Sequence, residues 1–146
     1  MKKLASTAEA LAVAPQNTGF LLQRAHRRLR MALNDALRPL DLAIAHVGVL
    51  GLLAARGDLS QQQLIEILEV DKSSMVYLID ELEKQGLAER RPAPSDRRAH
   101  AVHLTQAGRQ RLIAAVEIVK STEDEFLKPL TPAGRARLNQ LLRDIT

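Results

Sequence analysis

The chain has no cysteine. That absence excludes a disulfide framework, a thiolate zinc site and any cysteine-based oxidant sensing, and it suits a cytoplasmic protein. Long apolar runs are missing too: no stretch approaches the roughly 18 consecutive apolar residues that a membrane span requires. The usual arrangements of catalysis are also absent, with no carboxylate pair, no nucleophile beside a base and no glycine-rich phosphate loop. Neither an enzyme nor a cofactor protein is expected. Four histidines are present, but His100 and His103 lie an odd number of residues apart on what reads as a strand. They project to opposite faces and cannot hold one ion together, so no metal site is expected. His26 and His46 fall on helical segments and read as core residues before ligands.

What is present is a chain of 146 residues with 46% apolar content, enough for one domain with a real core. Its first residues, "MKKLASTAEALAVAP", superficially resemble a signal peptide. Glu9 interrupts the apolar stretch, which holds few large apolar residues, so residues 1–16 read as a flexible leader. Net charge is +4, unevenly placed. Between Asn17 and Pro39 five arginines face Asp35 alone, whereas from Arg56 to Leu104 seven basic residues meet nine acidic ones. A polyanion bound by the central segment would have to be held by a few placed cations rather than by a general positive field.

Apolar residues from Leu21 to Leu37 recur at spacings of three and four, which predicts a helix over residues 17–40, capped by Asn17 or Thr18. "AIAHVGVLGLLAA" (43–55) predicts a second helix buried on most sides. Ser60 and Gln63 form a capping box ahead of a short helix whose apolar face is Leu64, Ile67 and Leu68. Asp71 then caps another helix running to Gln85, closed by Gly86. Two short helices with a tight connection are a helix-turn-helix. "LAERR" and "AHAVHLT" follow as strands, with "PAPSDRRA" as the loop of a hairpin. Thr105 caps a long helix from Gln106 to about Lys128, and Thr131 with Pro132 starts a last one. The fold class is therefore mainly α with a small β-hairpin wing, a winged helix-turn-helix between terminal helices.

In the second helix of the turn, Met75, Leu78, Ile79 and Leu82 share one arc and face the core, which sends Ser73, Tyr77, Asp80 and Lys84 outward. The N-terminal part of such a helix enters the DNA major groove, making Lys72, Ser73, Ser74, Val76 and Tyr77 candidate contacts. Asp80 and Glu81 lie at the far end, away from phosphate. A hairpin tip beside that helix reaches the neighbouring minor groove, where negative potential attracts arginine, so Arg97 and Arg98 are candidates there with Asp96 as their local partner. The plainer alternative is a solvated helix face with serines as extra caps and a turn carrying two solvated arginines.

From "LDLAIAHVGVLGLLAARGDLS" through "VDKSSMVYLIDELEKQGLAERRPAPSDRRAHAVHLTQAG" the chain closely resembles the MarR (multiple antibiotic resistance regulator) family of bacterial transcription factors. The resemblance extends from about Asn17 to the C-terminus. It implies a single domain over 17–146, with dimerisation helices at 17–40 and 105–146 and a winged helix-turn-helix at 41–104. It also implies a homodimer on a near-palindromic operator. By position, Ser73 and Ser74 match the family's recognition helix, and Asp96 with Arg98 matches its D-x-R wing signature, making Arg98 the minor-groove residue and Arg97 a phosphate contact. Val76 and Tyr77 depart from the small hydroxyl and arginine frequent there. Many relatives are released from DNA by small phenolic or aromatic carboxylate compounds, and His26, Arg30 and His46 lie near that effector region. The expected function is a regulator, in the first instance a repressor. The rival is a winged-helix module for protein association, which the net-negative central segment favours.

Overall fold

The computed structural model describes residues 17–93 and 96–146. The expected leader therefore lies outside the described residues. Helix α1 (Thr18–Leu37) starts where Asn17 accepts the Phe20 amide at 3.0 Å, satisfying an otherwise orphaned donor. A short 3₁₀ turn (Arg38–Leu40) holding Pro39 ends it, and α2 (Ile44–Arg56) follows. Gly57, at φ 82°, then turns the chain into β1 (Leu59–Ser60). The predicted capping box forms: Ser60 and Gln63 each accept the other's backbone amide at the head of α3 (Gln61–Leu68). Glu69, in the left-handed region at φ 51°, makes the tight turn into α4 (Lys72–Lys84). Strands β2 (Ala88–Ala93) and β3 (Asp96–Leu104), then α5 (Gln106–Phe126) and α6 (Pro132–Ile145), complete the order.

The core is built where the helix-turn-helix meets the sheet. Leu50 and Leu53 of α2, Leu64 of α3, the predicted Met75, Leu78, Ile79 and Leu82 of α4, and Val102 and Leu104 of β3 are all buried in one cluster. One expected member fails: Ile67 is exposed, and Ile65 packs against the core instead. On a helix Leu64, Ile65 and Leu68 span one arc, and Ile67 falls outside it on the far side of Leu64.

The sheet is three-stranded and antiparallel, in the order β1-β3-β2, with Leu59 opposite Val102 and Arg90 opposite Val102 on the other edge. Two features differ from expectation. Strand β1 was not foreseen, because a two-residue strand carries no period to detect. The predicted loop over residues 92–99 is largely strand: β2 runs through Pro92, and Arg97 and Arg98 belong to β3 rather than to a hairpin tip. Pro92 is tolerated because β2 is an edge strand, where a missing N–H costs no ladder bond, and the register shift between Pro92 and Ala93 absorbs the irregularity.

The terminal helices leave apolar surface uncovered. Leu21 and Leu22 of α1, Ile113 and Val116 of α5, and Leu141 and Ile145 of α6 are exposed, and α6 buries no residue at all. Among the described residues no single helix is long and apolar enough to cross a membrane.

Candidate nucleic-acid interface

The N-terminus of α4 is held open by its cap. Asp71 accepts the Ser74 amide at 2.9 Å and the Ser74 hydroxyl at 2.6 Å. The hydroxyl bond, followed by the backbone amides, holds the Asp71 carboxyl below its ordinary range. Ser74 has thus committed its proton to the cap, and its oxygen offers only acceptor capacity to anything that approaches. Lys72 and Ser73 are exposed and Val76 is half-buried. Tyr77 is 62% exposed, an amphipathic ring standing off the helix one turn beyond Ser73. The five predicted contact residues of α4 therefore share its N-terminal half, and Lys72, Ser73 and Tyr77 face outward.

The carboxylates farther along α4 have partners that sequence reading missed. Arg90 of β2 reaches back to Asp80 at 2.7 Å and to Glu83, and its backbone amide donates to Glu83 at 2.6 Å. Arg91 pairs with Glu89. The detectable signal was the spacing of Asp80 and Glu83, one turn apart on the helix and just ahead of an arginine-bearing strand. Of the wing candidates, Asp96 lies opposite Ala93 in the ladder and Arg97 and Arg98 follow it on the central strand. Their side chains lie outside the described ones. At the sheet's far edge the His103 ring nitrogen meets Asp58 at 2.8 Å. Among the described residues no cluster of histidine and carboxylate suited to a metal ion exists.

The expected effector residues are partly brought together. Arg30 and His46 line one cleft of about 710 Å³ between α1 and α4, where Ser73, Ser74 and Tyr77 form the opposite wall. His26 lies instead along an adjoining cleft of about 430 Å³, again with Arg30. The core reading of His26 is wrong: it is exposed, at the rim of a cleft where α1 faces α5 and α6. His46 is buried as expected but only half satisfied. Its Nδ1 accepts the Ala43 amide at 2.9 Å, which assigns the proton to Nε2, and that atom is buried with no hydrogen-bond partner among the described residues.

Burial pushes the His46 pKa below its ordinary 6.5, against a smaller opposing pull from Glu81. Folded protein consequently binds fewer protons here than unfolded chain does. The stability associated with neutral His46 is complete above pH 6.5 and is lost as pH falls below that value toward the depressed folded pKa. Urea unfolding at pH 7.5 and 5.5 should show a larger loss on acidification for wild type than for His46→Gln. Equal losses would contradict the buried neutral ring.

The comparisons with known proteins fit this geometry. The MarR family profile matches residues 40–99. The chain is 35% identical over 96 residues to a protein assigned as the transcriptional regulator for the hcr operon of Thauera aromatica, a match spanning 66% of this chain and 58% of that protein's length. The multiple antibiotic resistance protein MarR of Escherichia coli is 29% identical over 128 residues, 87% of this chain and 89% of its own. A variant of that protein solved in complex with operator DNA superposes with a TM-score of 0.80 at 29% identity, covering 87% and 91% of the two chains. Bordetella bronchiseptica BpsR, from a structure concerned with regulation of its DNA binding by 6-hydroxynicotinic acid, matches at a TM-score of 0.82 and 26% identity over 90% and 94%. Profile, sequence relatives and solved structures agree with the helix-turn-helix and three-stranded wing, and all of them liken the chain to the MarR family, whose profile spans residues 40–99.

Proposed function

We propose that the protein is a dimeric, sequence-specific DNA-binding transcriptional repressor of the cytoplasm, released by a small ligand and without catalytic activity. The observation that carries this is the pairing in one domain of a solvent-exposed helix N-terminus, presenting Lys72, Ser73 and Tyr77, with a strand bearing Arg97 and Arg98. Such a unit supplies a major-groove element and an adjacent minor-groove element. Residues 41–104 form the DNA-binding part, and 17–40 with 105–146 the dimerisation part. The uncovered apolar residues of α1, α5 and α6 support a second copy as their cover. Solved relatives bound to operator DNA, or named for ligand control of DNA binding, support both halves of the reading. The protein-association rival keeps the net-negative central segment as its recommendation, but the likeness to an operator-bound relative favours the DNA reading. Among the described residues, three of the nine central acids meet partners on another element of the domain, Asp80 and Glu83 with Arg90 and Asp58 beside His103.

In this reading Ser74 accepts from a base amino group, Tyr77 packs against a base edge, and Arg98 enters the minor groove. Arg30 and His46, with His26 at the margin, offer a cation and a donor to an aromatic acid in the α1–α4 cleft. Tyr77→Ala tests the helix assignment. It should lower affinity for the selected operator by roughly 1–2 kcal/mol, the scale of a lost base contact, while binding to random duplex changes little. Equal losses on both duplexes would make Tyr77 a mere positioning group.

A further inference from the structure

We propose that Arg90 is a positioning residue that fixes the angle between the wing and α4, so that sequence selectivity depends on its fork of contacts rather than on its charge. This rests on the DNA-binding reading above and adds to it a residue outside both presumptive contact surfaces. Only Gln85, Gly86 and Leu87 connect α4 to β2, and Gly86 sits at φ 71°. A connector of that length does not by itself fix how the hairpin is tilted. Arg90 closes the angle from the other side: its guanidinium spans Asp80 and Glu83, and its own amide donates to Glu83. Three bonds from one residue to two carboxylates on successive turns define both a distance and an orientation.

The lever is long enough to matter. At the rise of an extended strand, Ala93 at the end of β2 stands about 10 Å from Arg90, so a tilt of about 15° carries it roughly 2.5 Å, enough to lose a groove contact. The same residues need not hold the fold, because Leu87, Ala88, Val102 and Leu104 are already buried at the base of the wing. Arg90 is itself only half-buried, its side chain 28% exposed, and Asp80 is more exposed still. In the clamp Arg90 offsets one of the two negative charges of Asp80 and Glu83, and the spacing of the pair sets its geometry.

The test uses full-length protein and an operator selected from a random duplex pool by the wild type. Arg90→Lys keeps the charge but cannot span two carboxylates with a planar fork. It should bind the operator about tenfold more weakly, the scale of one lost groove contact, with random-duplex affinity unchanged and the thermal midpoint within a few degrees of wild type. Wing-side minor-groove protection in hydroxyl-radical footprints should fade while protection of guanine N7 in the major groove from dimethyl sulfate persists. The second variant, Asp80→Asn with Glu83→Gln, separates position from charge. Removing two negative charges should raise affinity for random duplex, yet the ratio of operator to random binding should fall. If both affinities rise together with the ratio intact, or if Arg90→Lys keeps wild-type selectivity, the clamp does not set selectivity. Should the wild type select no sequence from the pool, the DNA-binding reading itself falls, and the clamp's role with it.

Discussion

Gly108→Ala is expected to be the most damaging conservative change in the chain. Gly108 occupies the first turn of α5, where the helix backs directly onto the residue before β2. A methyl group there would lie 2.0 Å from the Leu87 carbonyl oxygen and 2.7 Å from a Leu104 methyl. Neither neighbour is free to give way. Leu87 is buried and its carbonyl accepts the Thr105 amide at 3.2 Å, while the Thr105 hydroxyl donates to the Gly86 carbonyl at 2.7 Å and accepts the Gly108 amide at 3.0 Å. The helix start is thus stapled to the end of the helix-turn-helix, and an added methyl forces the two apart. Overpacking against backbone of this kind should cost about 3 kcal/mol, which lowers the melting midpoint by roughly 6–12 °C in a domain of this size. Gly51→Ala is the contrast. A methyl there meets nothing within 4 Å, inside the regular helix α2, so the substitution should stabilise by about 0.5–1 kcal/mol. Paired melts of the two variants check the claim, and a Gly108→Ala protein as stable as wild type would contradict the close approach.

Arg98→Ala should leave the fold unchanged and remove most of the wing's contribution to binding. The proposed insertion of its guanidinium into a narrow minor groove is worth roughly 1–3 kcal/mol, or about 5- to 150-fold in operator affinity. The slope of log affinity against log salt should shrink by about 1 when a phosphate-neutralising cation goes with it. Arg91→Ala is the control, since Arg91 is already paired with Glu89 and should change affinity by less than about 1 kcal/mol. Titrations of both variants at two salt concentrations distinguish them. Equal affinities for Arg98→Ala and wild type would remove Arg98 from the interface.

The helical part of this fold was legible because its signals are local. Asn17, Ser60, Asp71, Thr105 and Thr131 each accept the amide three residues on, as short polar caps do, and the Met75, Leu78, Ile79, Leu82 arc is buried as its spacing required. What escaped was set by contacts distant in sequence. Strand β1 exists because β3 offers it an edge, not because two residues show a pattern. The wing outran its expected strands because an edge strand tolerates proline. Asp80 read as a harmless acid at the wrong end of a helix until Arg90 was seen to claim it. His26 looked like a core residue because its helix is amphipathic, yet its own side chain is exposed. Gly108 was visible only as part of a motif; its reason, a carbonyl 2.0 Å from where a methyl would stand, is a fact of packing.

The central claim, that this winged unit reads DNA sequence, is tested most directly by fluorescence anisotropy of the full-length protein. The titration sets a duplex from upstream of its own gene against a shuffled duplex, at two salt concentrations. The account predicts tenfold or greater preference for the native duplex and affinity that falls steeply with salt on both, as expected when several phosphates are neutralised. Failure to bind either duplex at low salt would contradict it and return the winged helix to protein association.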